Sequence, residues 1–142
     1  MKHIHVACAI IEKDGRVLAA QRSEAMTLPL KWEFPGGKIH DGERPEDCLK
    51  REVREELALE IAVGRPLTPV PYRYPAFIVT LYPFRCAVIS GEMVLHEHKA
   101  VAWLPPAMLF DLDWAPADAP ILQEYLDRAE RPERRILRQG EK

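Results

Sequence analysis

Apolar positions along the chain fall into short extended runs between turn residues, interrupted by two stretches of helical spacing. His3 to Glu12 is rich in Val, Ile and Ala and reads as a buried strand. Asp14-Gly15 signals a hairpin turn, because both residues tolerate positive φ, and Arg16 to Arg22 returns as a second strand. Ser23 to Leu30 reads as a loop. Lys31 to Phe34 is a short strand, stopped by Pro35 and the two glycines after it. Pro45 suits the first turn of a helix, where its missing N–H costs nothing. That helix runs to about Leu57, with Cys48, Leu49, Val53 and Leu57 as its apolar side. Two extended segments follow, about Ile61 to Tyr74 and Phe77 to Ile89, broken by Pro75-Ala76 and Ser90-Gly91. Val101 to Leu104 is a short strand ended by Pro105-Pro106, and Pro106 to Phe110 is one helical turn. Ile121, Leu122, Tyr125 and Leu126 recur at helical spacing inside a helix over Asp118 to Asp127. The charge-dense tail over 129–142 is expected to fray. Strands, helix, strands, helix suggest a mixed sheet held between helices, and the pattern leaves α/β and α+β open.

The 142 residues support a single domain, 1–142, with a real core. A formal net charge of −2 argues against a nucleic-acid polymer as partner. It leaves a small-molecule nucleotide open, since metal ions can hold the phosphates. Cys8, Cys48 and Cys86 stand singly, with no CxxC, so neither a disulfide framework nor a zinc site is indicated. Cys8 and Cys86 lie in apolar runs as small core residues, and Cys48 falls in the helix as packing. Reduced cysteines suit a cytoplasmic protein. No apolar stretch approaches the roughly 20 residues needed to span a bilayer, and the N-terminus has no signal-peptide architecture, so no membrane partner is expected.

The helix over 45–57 carries Glu52, Glu55 and Glu56 on one face, with Glu43 upstream. Like charges at i, i+3 and i+4 repel by roughly 0.2–0.5 kcal/mol per pair. Such a face is tolerable when arginines lace it, as Arg51 and Arg54 could, or when a hard cation sits on it. On the carboxylates alone the solvated, arginine-laced face is the better reading.

The surrounding residues reverse that. Gly37 is followed by five residues and Glu43. Seven residues later stand Arg51, Glu52, Val53, Arg54, Glu55, Glu56, Leu57, Ala58 and Leu59. This spacing resembles the signature of the Nudix hydrolases, with one departure: Ala58 stands where the family has Gly. That glycine lies at the helix exit, where positive φ is often needed. We expect the chain to leave through an ordinary negative φ instead, so that Ala58→Gly would destabilise. The resemblance implies a Nudix α/β/α sandwich with a mixed β-sheet, and a hydrolase dependent on Mg²⁺, with Mn²⁺ as a substitute. It implies that Glu52, Glu55, Glu56 and the carbonyls at Gly36 or Gly37 hold the metal. Glu52 also resembles the residue that polarises the attacking water. Arg51 is expected to hold Glu43 and orient the ligands. Lys38 is either a phosphate contact or a solvated loop lysine.

Beyond the signature, WEFPGGK resembles the MutT-type branch, which sanitises nucleotide pools and so serves DNA repair. HEHKAVAWLPP and APADAPIL resemble the bacterial CTP pyrophosphohydrolases within it. By that resemblance Glu97 approaches the metals, Arg22 faces the ligand, and Phe34, Tyr74 and Val79 wall the base pocket. The alternatives are a charged loop residue, a strand-end arginine and three core side chains. His96 and His98 beside Glu97 are weak evidence for a transition-metal site.

Asp118 stands where the oxidised-guanine enzymes have Asn and the CTP-type branch has Asp. An ionised carboxylate only accepts hydrogen bonds, which suits the N4 amino group of cytosine. An oxidised guanine, whose N7 becomes a donor, stays open, and so does a plain helix N-cap. The expected function is hydrolysis of a cytosine-type nucleoside triphosphate to monophosphate and pyrophosphate. The alternatives are 8-oxo-dGTP hydrolysis and, in another class, a non-catalytic nucleotide-binding module. Monomer and homodimer are both compatible.

Overall fold

The computed structural model describes residues 1–128. The expected fraying of 129–142 lies outside the described residues. Strands β1 (Lys2–Lys13) and β2 (Arg16–Gln21) form the hairpin expected from Asp14-Gly15. Both turn residues have positive φ, 52° and 74°. β3 (Trp32–Glu33) pairs with β2, and α1 spans Pro45–Leu57. β5 (Glu60–Pro66), β6 (Val70–Arg73) and β7 (Phe77–Ser90) follow, then β8 (Ala100–Leu104) and a 3-10 turn over Pro106–Asp111. A second helix, α2, covers 119–128.

Two expectations need correction. Gly36 and Gly37 do not stop the strand but begin another, β4 (Gly36–Lys38), which lies antiparallel to β1 with Cys8 opposite Gly36. A Cβ at Gly36 would sit 1.9 Å from the Ala7 carbonyl oxygen, so only glycine allows this approach. The extended segment over 61–74 is two strands. Both pair with β7, with a break at 67–69. Pro66 and Pro69 have no N–H to give the ladder there.

The sheet runs β3-β2-β1-β7-β5, with β4 on β1, β6 on β7 and β8 on β2. β1 and β7 are parallel and the other pairs antiparallel, so the sheet is mixed. β1 is buried on both faces, and its alternation divides the core. Ala7, Ala9 and Ile11 pack with Leu49, Val53 and Leu57 of α1. Cys8 and Ile10 pack with Ile121, Leu122 and Tyr125 of α2. This is the α/β/α sandwich that the sequence led us to expect. No described helix is long and apolar enough to cross a membrane.

The exit of α1 overturns the expectation for Ala58. Its backbone is left-handed, φ 60° and ψ 29°, and its N–H closes on the Arg54 carbonyl. A non-glycine residue there costs roughly 1–2 kcal/mol, while glycine adds unfolded-state entropy worth about 0.4–1 kcal/mol. The first effect outweighs the second. Ala58→Gly is therefore expected to raise the melting temperature by a few degrees in thermal denaturation, and a lower value would show that Ala58 is unstrained.

Candidate active site

The site begins where β4 meets α1. Pro45 sets the helix start, and the buried stripe Cys48, Leu49, Val53 and Leu57 fixes its rotation, which turns Glu52 toward Gly37 of β4, buries Glu56 and leaves Glu55 outside. Gly37 is part of that arrangement. A Cβ there would lie 2.3–2.6 Å from the Glu52 carboxyl group, so glycine at 37 makes room for Glu52. The Cys48 thiol donates toward the Gly37 and Lys38 carbonyls at 3.5 and 3.4 Å, tying the loop to the helix. All three cysteines are buried and free.

Arg51 organises the carboxylates. Its Nε and Nη2 donate to the two oxygens of Glu43, both at 2.9 Å, and Nη1 donates to Glu52 Oε1 at 2.8 Å. Nη2 also donates to the Lys38 carbonyl at 3.2 Å. Glu43 accepts in addition from the His40 N–H. The Arg51 fork first, then that N–H, hold the Glu43 carboxyl down to about 2. Glu43 is thus closed off by its partners and serves to hold Arg51.

Glu56 is the opposite case. It is 8 % exposed, and its Oε1 is buried with no hydrogen-bond partner. Burial, then the negative charges of Glu52 and Glu97, push its carboxyl up to about 9. The loop carrying Glu97 is hooked to the end of α1. Val94 and His96 donate their N–H groups to the Leu57 and Glu56 carbonyls, which the helix leaves unsatisfied. Glu55 is apart from this cluster, with a 60 % exposed side chain and Arg51 at 3.8 Å. Among the described residues no three His, Cys, Asp or Glu side chains converge as a ready ligand set. Glu52 is turned to Arg51 and Glu55 to solvent. The donors are nonetheless hard oxygens, and a buried carboxyl with one oxygen unpartnered, beside two other acids, suits a divalent cation.

A cavity of about 490 Å³ runs from these acids across the sheet. Arg22, Phe34, Gly36, Gly37, Lys38, Glu56, Tyr74, Val79, Glu97 and Asp118 all line it, so the structure brings together most of the residues singled out in the sequence. Arg51, Glu43, Glu52 and Glu55 stand outside its wall. Phe34 and Val79 are both core and wall, and the Phe34 ring lies 4.7 Å from that of Trp114. The Tyr74 hydroxyl accepts from the Ala117 N–H at 3.3 Å. A larger cavity, about 810 Å³, opens at the Asp14-Gly15 turn, and none of the clustered acids lines it.

Asp118 is 6 % exposed and precedes α2. Its Oδ2 accepts from the Phe34 N–H at 2.9 Å, across the sheet. Burial first, then the charge of Glu33, push its carboxyl up to about 8, opposed by the Phe34 N–H and Arg22. Burial thus works against the ionised, accepting form of Asp118 that the sequence suggested. The sequence reading also passed over Glu33 and undervalued His98. Arg22 Nη1 donates to Glu33 Oε1 at 2.8 Å, and His98 Nε2 lies 2.9 Å from Glu33 Oε2. The signal was present, because Glu33 is an acid inside a short strand next to the buried Phe34. Arg22 also bonds the carbonyl and hydroxyl of Thr27, so it anchors the loop over 23–30 as well as lining the cavity.

A family model for the NUDIX domain matches residues 1–125. The CTP pyrophosphohydrolase of Escherichia coli is 38% identical over 133 residues, covering 93% of this chain and 98% of that protein. The 8-oxo-dGTP diphosphatase of Haemophilus influenzae is 30% identical, covering 89% of this chain and 93% of that protein. Among solved structures, the E. coli ORF135 protein superposes with a TM-score of 0.80 at 38% identity, over 93% of this chain and 95% of that one. MutT from methicillin-resistant Staphylococcus aureus does so with a TM-score of 0.73 at 42% identity, over 90% and 99%.

Proposed function

The chain belongs to the Nudix family, and from that premise we propose that it hydrolyses nucleoside triphosphates to monophosphate and pyrophosphate, with cytosine nucleotides as preferred substrates. The observation that carries the reading is the junction of two parts. A buried carboxyl at Glu56, whose Oε1 has no partner, stands beside Glu97 and Glu52 and opens into a cavity with aromatic walls. The likeness to the E. coli CTP pyrophosphohydrolase supports cytosine.

Mg²⁺ is the cation proposed, with Mn²⁺ in its place when supplied, held by Glu52, Glu55, Glu56, Glu97 and the Gly36 or Gly37 carbonyl. When bound, a divalent cation supplies charge neutralisation for phosphate oxygens and an acidified water. The protein's own residues do the rest. Glu56 gives up its proton on loading, since its raised affinity for that proton comes from burial and from the acids beside it. Arg51 holds Glu52 in place while Glu43 anchors Arg51 from behind. Glu52 is the proposed base for the attacking water, and Lys38 at the rim meets phosphate. Phe34, Tyr74 and Val79 wall the base away from water, while Arg22 anchors the loop over 23–30. The role is nucleotide-pool sanitising in the cytoplasm, in the service of DNA repair, with a small-molecule nucleotide as partner.

A panel of ribo- and deoxyribonucleoside triphosphates, including 8-oxo-dGTP, scored for pyrophosphate release with Mg²⁺, tests this. CTP or dCTP is expected to show the highest kcat/KM. A clear preference for 8-oxo-dGTP would favour the other relatives' activity, and binding without turnover on every member would leave a nucleotide-binding module.

A further inference from the structure

Residues 91–99 join β7 to β8 and bring Glu97 to the edge of the cavity. Their side chains are exposed or half-buried, with one exception. His98 is 7 % exposed and lies between the exposed Glu97 and Lys99. Backbone bonds fasten the loop on both sides of this pair. Val94 and His96 donate to the Leu57 and Glu56 carbonyls at 3.0 and 3.2 Å, and Lys99 donates to the Gln21 carbonyl at 2.9 Å. Between His96 and Lys99 the tie to the sheet is the His98 ring, whose Nε2 lies 2.9 Å from Glu33 Oε2. Glu33 is a fixed post. It stands in β3 opposite Ala20 of β2, and Arg22 Nη1 donates to its other oxygen at 2.8 Å.

An imidazole is a costly way to fill this space. Its Nδ1 is buried without a partner, a loss that an apolar side chain of similar bulk would avoid. What the ring adds is a directed N–H. Because Nδ1 has no acceptor, the proton belongs on Nε2, facing the Glu33 carboxylate. The residue held next to it needs such a hold. Glu97 is an exposed acid on a loop, and its charge bears on Glu56, which already meets that of Glu52. Without a tether, mutual repulsion would turn the Glu97 side chain out to solvent.

We propose that His98 is a positioning residue for the cation site: through its bond to Glu33 it pins the loop over 91–99 to the sheet and so keeps the Glu97 carboxyl beside Glu56, ready to share a divalent cation. The inference rests on the reading of Glu97 as a cation ligand. It assigns His98 no contact with the cation or the nucleotide.

The test is Mn²⁺ binding to the protein without nucleotide, read from the electron paramagnetic resonance signal of the unbound ion. His98→Leu fills the space without a donor. His98→Asn keeps a polar group too short to reach Glu33, and it serves as the probe if His98→Leu does not fold. His98→Gln carries an amide N–H at about the position of Nε2. The first two variants are expected to bind Mn²⁺ at least roughly tenfold more weakly, the loss typical when a group that orients a ligand is removed. His98→Gln should stay near the parent. In a Glu97→Gln background the same changes at 98 should add little, because two residues that act through one contact are not additive. A merely structural role would lower the melting temperature of the metal-free protein and leave Mn²⁺ affinity at the parent value. That result, or losses at 97 and 98 that add in full, would overturn the proposal. Parent-like affinity in Glu97→Gln alone would instead take Glu97 out of the cation site and defeat the reading on which the proposal rests.

Discussion

Glu56→Gln is expected to cut turnover by at least about a hundredfold, the size of loss seen when one electrostatic contact made in the transition state is removed, while the fold survives. The reasoning separates the two effects. Gln has the shape of Glu and the hydrogen-bonding character of its protonated form. The free protein already holds Glu56 protonated, with the carboxyl raised to about 9 by burial and by Glu52 and Glu97. A group whose folded value is raised contributes stability that is full below the unfolded value and is lost as pH rises through the folded one. The metal-free parent should therefore lose stability between about 4.5 and about 9 through this group. Glu56→Gln should be spared that loss, so the gap in melting temperature should move in the variant's favour as pH rises. Loading a cation needs the charge that Gln cannot supply, so turnover falls. Parent-like turnover at saturating Mg²⁺ would remove Glu56 from the site.

Gly36→Ala is expected to be the most damaging glycine-to-alanine change among the described residues. Its Cβ would meet the Ala7 oxygen at 1.9 Å and the Cys8 Cα at 2.8 Å, both backbone atoms of the central strand. Neither can move without disturbing β1, which pairs with β7 from Lys2 to Glu12. Overpacking of this kind costs roughly 3 kcal/mol or more, a fall in melting temperature on the order of 10 °C. Gly37→Ala provides the control. Its clash is with the end of the Glu52 side chain, which can swing away. That variant should keep most of its stability and lose activity. Similar melting temperatures for both variants would contradict the close β1–β4 approach.

Much of this site was legible because the signature is local. A fixed run from Gly37 to Leu59 sets one loop and one helix, and the apolar stripe of that helix decides which way its glutamates face. What stayed hidden depends on distance across the sheet. Asp118 and Phe34 are 84 residues apart in sequence, and His98 and Glu33 are 65 apart. Nothing in either local pattern states that one acid will be buried beside another. The exit at Ala58 failed for a different reason: the residue type favours negative φ, yet the chain turns left-handed there as the Ala58 N–H closes on the Arg54 carbonyl. The glycines at 36 and 37 read as a strand stop because glycine weakens strands, whereas here the missing side chain of Gly36 lets two backbones touch and that of Gly37 makes room for Glu52.

The most direct test of the central claim is the identity of the products. Phosphorus NMR of CTP incubated with the protein and Mg²⁺ is expected to show cytidine monophosphate and pyrophosphate appearing in equal amounts, with no reaction after chelation. Cytidine diphosphate with inorganic phosphate, or turnover that survives chelation, would contradict it.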